Sequence, residues 1–310
     1  MNFNFRPAKR SNAKPLIGLY SQSGCGKTKS ALMIAHGFVG GDMSKVGMIE
    51  TESGRGEAYA SDPSLGGYSV LSLHDDFSPA NYGKAIKAAE GAKLQALIVD
   101  SASHEWEGAG GVLSMAADNE AKGWKGQIVW TAPKMAHSRE FMFRLTQTPI
   151  PLVIVCMRAK YALVEFINDK GKKDMKRDEV PSPKQSEDIL YELFVHGWID
   201  HQHKFHGTKY TIDDLRQCIR DGEPITEQSG RRLAAWAAGG EAPRQTQPTD
   251  VPASEPANDA PGDLITRLEA AAAKGWPALQ SLWQSLTEDQ REDVGPKFGA
   301  IKKLCPKVAS

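Results

Sequence analysis

Residues 18–32 read GLYSQSGCGKTKSAL, an apolar run that meets a glycine-bearing loop and then a stretch of helical composition. The loop follows the phosphate-cradling pattern G-x-x-x-x-G-K-[ST] at Gly26, Lys27 and Thr28, and departs from it at the first position, where Ser21 stands in place of glycine. A loop of this kind brings several backbone N–H groups onto phosphate oxygens at a helix N-terminus, where the helix dipole also favours negative charge. Gly24 and Gly26 allow the tight backbone path, Lys27 is set to reach the β- and γ-phosphates, and Thr28 is set to hold Mg²⁺. The expected cradle is therefore Ser23, Gly24, Cys25, Gly26, Lys27, Thr28 and Lys29, with ATP and Mg²⁺ as cofactors. Ser21 only opens the loop, which makes it the least demanding place for a departure.

Outward from the loop, strand-like and helix-like segments alternate. KVGMIET and YSVLSL read as strands, and SPANYGKAIKAAEGAK reads as a helix with Ser78 as its N-cap. LQALIVDS and IPLVIVCMR are continuous apolar runs, the signature of parallel strands covered on both faces. From Tyr161 the texture changes: YALVEFINDKGKKDMKR reads as a hairpin turning at residues 168–171, and GWIDHQHKFHGTKYTI as further short strands. Residues 1–13 form a tail and residues 14–236 the main domain. Residues 237–262 are rich in Pro, Ala, Gly and acidic side chains and read as a flexible, disordered linker. Residues 263–310 read as a small helical domain, with Leu264, Ile265, Leu268, Ala272, Trp276, Leu279, Leu282, Trp283 and Leu286 near helical spacing and a capping box in TEDQ at residues 287–290.

The composition narrows the partners. Lys plus Arg number 38 and so do Asp plus Glu, so no bulk attraction to nucleic acid exists and any such site must be a local patch. The four cysteines lack C-x-x-C spacing, which suits free thiols in a reducing compartment. No apolar run approaches a membrane span, and the basic N-terminus has no apolar segment. The expectation is a cytoplasmic protein with no membrane partner.

Two carboxylate positions accompany the loop. Asp100 ends LQALIVDS, where a strand-end aspartate holds the water shell of Mg²⁺, with Ser101 beside it. MIETES offers Glu50 and Glu52 as a general base. Strand alternation turns Glu50 into a layer, whereas Glu52 begins the loop, so Glu52 is the preferred base. Ligands of open α/β sheets sit at strand C-terminal edges, which puts these elements on one rim. His104 and Glu105 lack the second histidine of H-E-x-x-H, and His201, His203 and His206 in HQHKFH read as half-exposed strand histidines rather than metal ligands.

Together, GLYSQSGCGKT, GMIETESGR, ALIVDSASHEWEG and PLVIVCMRAK resemble the RecA-like ATPase core, and more narrowly the phage-encoded RecA-like proteins of single-strand annealing and recombination. The resemblance spans roughly residues 14–236. It implies an α/β fold: a RecA-like P-loop NTPase core with a mostly parallel central sheet and C-terminal β-hairpins, joined by the linker to a small all-α module. It further implies an ATPase acting on single-stranded DNA as a ring or filament of copies, in the host cytoplasm if phage-encoded.

By the same resemblance Glu52 is the catalytic base. The place of the family's γ-phosphate-sensing Asn-Gln pair holds Cys156 and Met157, and Arg158 after them would take that role. Lys209 matches the cation that one subunit lends to the next. DNA would meet two loops, residues 106–125 with Trp106, Lys122, Trp124 and Lys125, and residues 159–184 with Lys170, Lys172, Lys173, Lys176 and Arg177. FRPA at residues 5–8 has the F-x-x-A form that some relatives dock onto the next subunit, and the helical module would contact a single-strand DNA-binding protein. Three other readings stay open: a motor or assembly factor on protein or duplex DNA, a nucleotide-gated DNA-binding module without turnover, and a small-molecule phosphotransferase. The last needs an arginine-rich lid, and no such segment stands out.

Overall fold

The apolar runs flanking the glycine loop become neighbouring strands. The structure, a computed structural model, describes residues 8, 10, 13–167, 171–239, 261–273, 275–286 and 288–304. Its strands are β1 (Leu16–Ser21), β2 (Val46–Glu50), β3 (Ser69–Ser72), β4 (Ala96–Asp100), β5 (Leu152–Lys160), β6 (Leu163–Ile167), β7 (Lys173–Arg177), β8 (Ser182–Pro183), β9 (Val195–Ile199) and β10 (Phe205–Tyr210). The main sheet runs in the order β10-β9-β1-β5-β4-β2-β3 and is parallel from β9 to β3; β10 lies antiparallel on β9, and β8 lies antiparallel on the end of β5. β6 and β7 form a separate antiparallel hairpin. The C-terminal ends of β1, β5, β4 and β2 thus stand side by side, with Ser21 opposite Arg158, Asp100 opposite Cys156, and Glu50 opposite Asp100.

Helices cover both faces: α1 (Lys27–Phe38), α2 (Pro79–Gly91), α3 (Ser103–Glu107), α4 (Val112–Ala121), α5 (Ile128–Ala136), α6 (Phe143–Gln147), α7 (Asp188–Glu192), α8 (Asp214–Cys218) and α9 (Glu227–Ala237). A π-helical turn, His137–Met142, joins α5 to α6. Period-two alternation sends Ile17, Leu19, Ile98 and Ile154 toward α1 and α9, and Leu16, Tyr20, Val99 and Val155 toward Tyr82, Ile86 and Phe141 on the other face. Burial on both faces is why β1, β2 and β4 read as unbroken apolar runs. Ser78 stands at the N-cap of α2, but its side chain makes no capping hydrogen bond, and Pro79 at the first turn has no N–H to satisfy.

The loop helix α1 crosses α9 at two glycines. A Cβ on Gly37 would lie 1.9 Å from the Glu227 carbonyl, and one on Gly230 would lie 2.0 Å from the Ile34 carbonyl. Gly230→Ala gains about 1 kcal/mol of helix propensity, but backbone cannot yield to an overlap this deep. The expected net result is a loss of about 1–3 kcal/mol, read by calorimetry as a melting temperature several degrees lower.

Two sequence expectations are corrected. Residues 106–125 are not an extended loop: they run from the end of α3 through α4, where VLSMAADNEA is built of helix formers that bury Val112 and Ala116 four residues apart. The strand before the HQHKFH run stops at Ile199, and His201 and His203 belong to the turn between β9 and β10, so that of the three only His206 stands on a strand. The Asp200 carboxylate causes this by accepting the N–H groups of Gln202 at 2.8 Å and Lys204 at 2.9 Å, an Asx-type turn.

The chain divides into two compact units, residues 1–245 and 246–310. The second holds α10 (Pro261–Ala273), α11 (Trp276–Ser285) and α12 (Glu288–Lys302), which bury Leu264, Leu268, Ala272, Leu279, Leu286, Val294 and Ile301. Most of the tail with FRPA, residues 168–170 of the hairpin turn with Lys170, residues 240–260 of the expected linker, and Thr287 of the expected capping box lie outside the described residues. Among the described residues, no helix is long and apolar enough to cross a membrane.

Candidate active site

The left-handed backbone that the loop requires falls on Gly24 (φ 85°) and Gly26 (φ 91°). Ser21 is still the last residue of β1, buried, with its hydroxyl donating to the Gln22 carbonyl at 2.8 Å. Its backbone is extended, so glycine's freedom is not needed there. Lys27 Nζ lies across the loop and donates to the Ser21 carbonyl and Oγ, both at 3.3 Å, and to the Gln22 carbonyl at 3.2 Å. Space is open around Gly24, where an added Cβ would meet nothing within 4 Å.

Thr28 Oγ1 donates to Asp100 Oδ2 at 2.5 Å. Burial raises the Asp100 carboxyl above its usual range, against the pull of this hydrogen bond. Two hard oxygen donors in contact at the mouth of a phosphate-shaped loop fit Mg²⁺. Cys156, opposite Asp100, is buried, and burial pushes its thiol well above the usual value. It adds no polar group to the cleft, and Met157 turns into the core.

The two glutamates after β2 have different surroundings. Glu50 is 1 % exposed and accepts the Glu52 N–H at 2.6 Å and the Gly54 N–H at 3.2 Å, so it builds the turn. Glu52 projects toward the cleft, where Arg158 Nε meets Oε1 at 3.0 Å and Arg55 Nη1 meets Oε2 at 3.2 Å. Burial acts to raise the Glu52 carboxyl, Arg158 and then Arg55 act to lower it, and the outcome is below the usual glutamate value. Arg158 is steadied by its own N–H to Ser103 Oγ at 2.9 Å and by the Lys184 N–H on its carbonyl at 2.7 Å.

These groups line one open cleft of about 750 Å³, a size that takes a nucleotide. Of the residues expected from sequence, Ser23, Gly24, Gly26, Lys27, Thr28, Glu52, Asp100 and Arg158 line it. Cys25 and Lys29 do not: Cys25 is buried under the loop, and Lys29 is exposed two residues past Lys27, a spacing that turns it off that face of α1. Lys209 does not line it either; its Nζ is held by the Leu190 carbonyl at 3.0 Å and the Tyr191 carbonyl at 2.8 Å. Lys122, Trp124, Lys125, Lys172 and Lys173 are exposed and away from the cleft lining, and Lys173 is ion-paired with Glu165 at 2.8 Å.

Sequence reading missed Arg55, Tyr59 and Lys184, which also line the cleft. ESGRGEAY, residues 52–59, just past the end of β2, carries a signal for the first two, since anything following that strand end lies on the rim. Lys184 arrives through the pairing of β8 with β5, which no local pattern announces. His104 Nδ1 is bonded to Thr51 Oγ1 at 2.7 Å, and Glu105 is buried against His137 at 3.0 Å and Gln185 at 3.1 Å. Among the described residues, no group of three or more His, Cys, Asp or Glu side chains is arranged to hold a metal ion. No protein-family model matches the chain, and no curated protein matches it.

Proposed function

We propose that this chain is a Mg²⁺-dependent ATPase with a RecA-like core that works on single-stranded DNA, in strand annealing or recombination, as an assembly of copies. The observation that carries the reading is the convergence of Lys27, Thr28, Asp100, Glu52 and Arg158 on one cleft at adjacent strand ends.

In this reading the loop N–H groups and Lys27 take the phosphates, with Lys27 exchanging the Ser21 and Gln22 carbonyls for phosphate oxygens. Thr28 and Asp100 hold Mg²⁺, which supplies charge neutralisation and polarisation of the phosphates when bound. Tyr59 offers the base a flat wall. Glu52 orients the attacking water and accepts its proton. Arg158 turns from Glu52 toward the terminal phosphate, which frees the base when substrate is in place.

A second hollow, of about 510 Å³, supports the DNA part. Trp106, Trp130 and Lys134 line it, two indoles for stacking bases and one ammonium for phosphate, beside the exposed carboxylates of Glu187 and Asp188, so stacking rather than charge carries the binding. Its wall includes His137, which opens the π-helical turn and is tied to buried Glu105. π-turns recur at functional sites. Gln185 also binds Glu105 and directly follows Lys184 of the cleft, so the hollow and the cleft share one segment of chain.

The test is ATP turnover with and without oligo-dT, beside oligo-dT binding by fluorescence anisotropy. Wild type should be stimulated. Trp106→Ala and Trp130→Ala should each weaken oligo-dT binding roughly tenfold to a hundredfold, since a stacked base is worth about 1–3 kcal/mol, with DNA-free turnover kept. Turnover indifferent to single strands would instead favour the motor or assembly-factor reading.

A further inference from the structure

Seen from outside the cleft, the phosphate loop is gripped by the turn between β9 and β10. His203 Nδ1 lies 2.9 Å from the Cys25 carbonyl oxygen. A carbonyl only accepts, so this ring nitrogen carries the proton. His201 reaches the same loop twice, with Nε2 at 3.2 Å from Gln22 Oε1 and Nδ1 at 3.6 Å from Cys25 Sγ. The amide oxygen accepts from Nε2–H, which leaves Nδ1 to accept the thiol proton.

The grip is short because β9 pairs directly with β1, so the turn after one strand and the loop after the other emerge side by side. It is also firm. The Asp200 carboxylate binds the turn's N–H groups and His206 Nε2 at 2.8 Å, and the His206 ring stacks on Trp198 with centroids 4.2 Å apart. His203 itself sits at φ 63°, a left-handed conformation that a non-glycine residue adopts at a cost.

We propose that the β9–β10 turn is an external brace on the phosphate loop, and that His203, by holding the Cys25 carbonyl outward, is a positioning residue for phosphate binding. The reason is peptide planarity. In a trans peptide the C=O of one residue and the N–H of the next point opposite ways. Fixing the Cys25 carbonyl outward therefore aims the Gly26 N–H at the cleft that Gly26 lines. The N-terminus of α1 has no side-chain cap to do this from within. The ring is pressed close: a Cβ added to Gly26 would lie 3.1 Å from His203 Nδ1. The brace rests on the nucleotide reading of the cleft for its purpose, but not for its geometry.

The test compares His203→Gly with His203→Asn in the full-length chain. Both residues accept left-handed backbone, and asparagine's amide nitrogen sits at the same branch position as Nδ1, so His203→Asn keeps a donor that His203→Gly loses along with the rest of the side chain. Mg²⁺-ATP affinity is measured by calorimetry, and exchange of the backbone amides of residues 22–26 by mass spectrometry without nucleotide. His203→Gly should bind roughly fivefold to tenfold more weakly, the worth of one net hydrogen bond, and its loop amides should exchange faster. His203→Asn should stay near wild type in both. If the two variants behave alike, whether both impaired or both normal, the brace is wrong. If wild type binds no nucleotide, the ATPase reading fails instead, and the amide exchange alone decides the brace by the same comparison.

Discussion

Glu52→Gln is expected to lower ATP turnover by about two to four orders of magnitude, the usual worth of a general base, while leaving Mg²⁺-ATP affinity close to wild type. Glutamine keeps the shape and an oxygen for Arg158 Nε, and loses only the charge and the basicity. Glu50→Gln is the contrasting arm. Its carboxylate is buried and serves two backbone N–H groups, so its loss should appear mainly as a lower melting temperature. Steady-state turnover and thermal melting of the two variants separate chemistry from architecture. A Glu52→Gln enzyme at wild-type rate would remove Glu52 as the base. The pH profile adds a signed check. The two guanidinium groups hold the Glu52 carboxyl below its usual value, so the base stays ionised as pH falls through the ordinary glutamate range. Activity limited by Glu52 is therefore lost only below that range, and the acid limb of kcat/KM, which reports the free enzyme, should lie low.

Much of this site is local in sequence, and that part was legible. The run before the loop, the Gly-Lys-Thr core, and the carboxylates ending β2 and β4 each sit within a few residues of the apolar segment that positions them. Glu50 and Glu52 part because β2 ends at Glu50: period-two geometry would put both on one face, and it is the loop after the strand that takes Glu52 to the cleft. What was not legible depends on pairing between distant segments. Arg158 meets Glu52 across 106 residues only because β5 and β2 both flank β4. Lys184 enters through β8, and the histidine turn reaches the loop only because β9 lies on β1. The misplacement of residues 106–125 has another origin. Family likeness made them a loop, although the apolar spacing of Val112 and Ala116 already favoured helix. Lys29 belongs to the motif string but not to the cleft, because helical rotation turns it off that face of α1.

Lys27→Ala carries the other large expected effect, and it bears on the missing glycine at Ser21. Among the described residues, Lys27 Nζ is held only by oxygens of Ser21 and Gln22, two residues that line the open cleft. Removing it therefore costs the fold little, because water from the open cleft can take the place of the ammonium on those oxygens. Phosphate binding loses a charge-assisted hydrogen bond of about 1.5–3 kcal/mol, roughly tenfold to a hundredfold in affinity. Turnover should fall further, by about 10²–10³ relative to wild type, because the ammonium also faces the charge that develops as the terminal phosphate leaves. Ser21→Gly should do neither. The serine backbone is already extended and the left-handed positions are Gly24 and Gly26, so restoring the glycine adds freedom that the loop does not use. Calorimetric Mg²⁺-ATP titration and turnover of the two variants give a sharp pairing: a Lys27→Ala protein that is folded but inert, and a Ser21→Gly protein within about twofold of wild type. Turnover that survived Lys27→Ala would mean that the cleft does not work as a phosphate site. A Ser21→Gly protein much faster than wild type would mean that the serine restrains the loop, and that the departure from the motif regulates turnover instead of being merely tolerated.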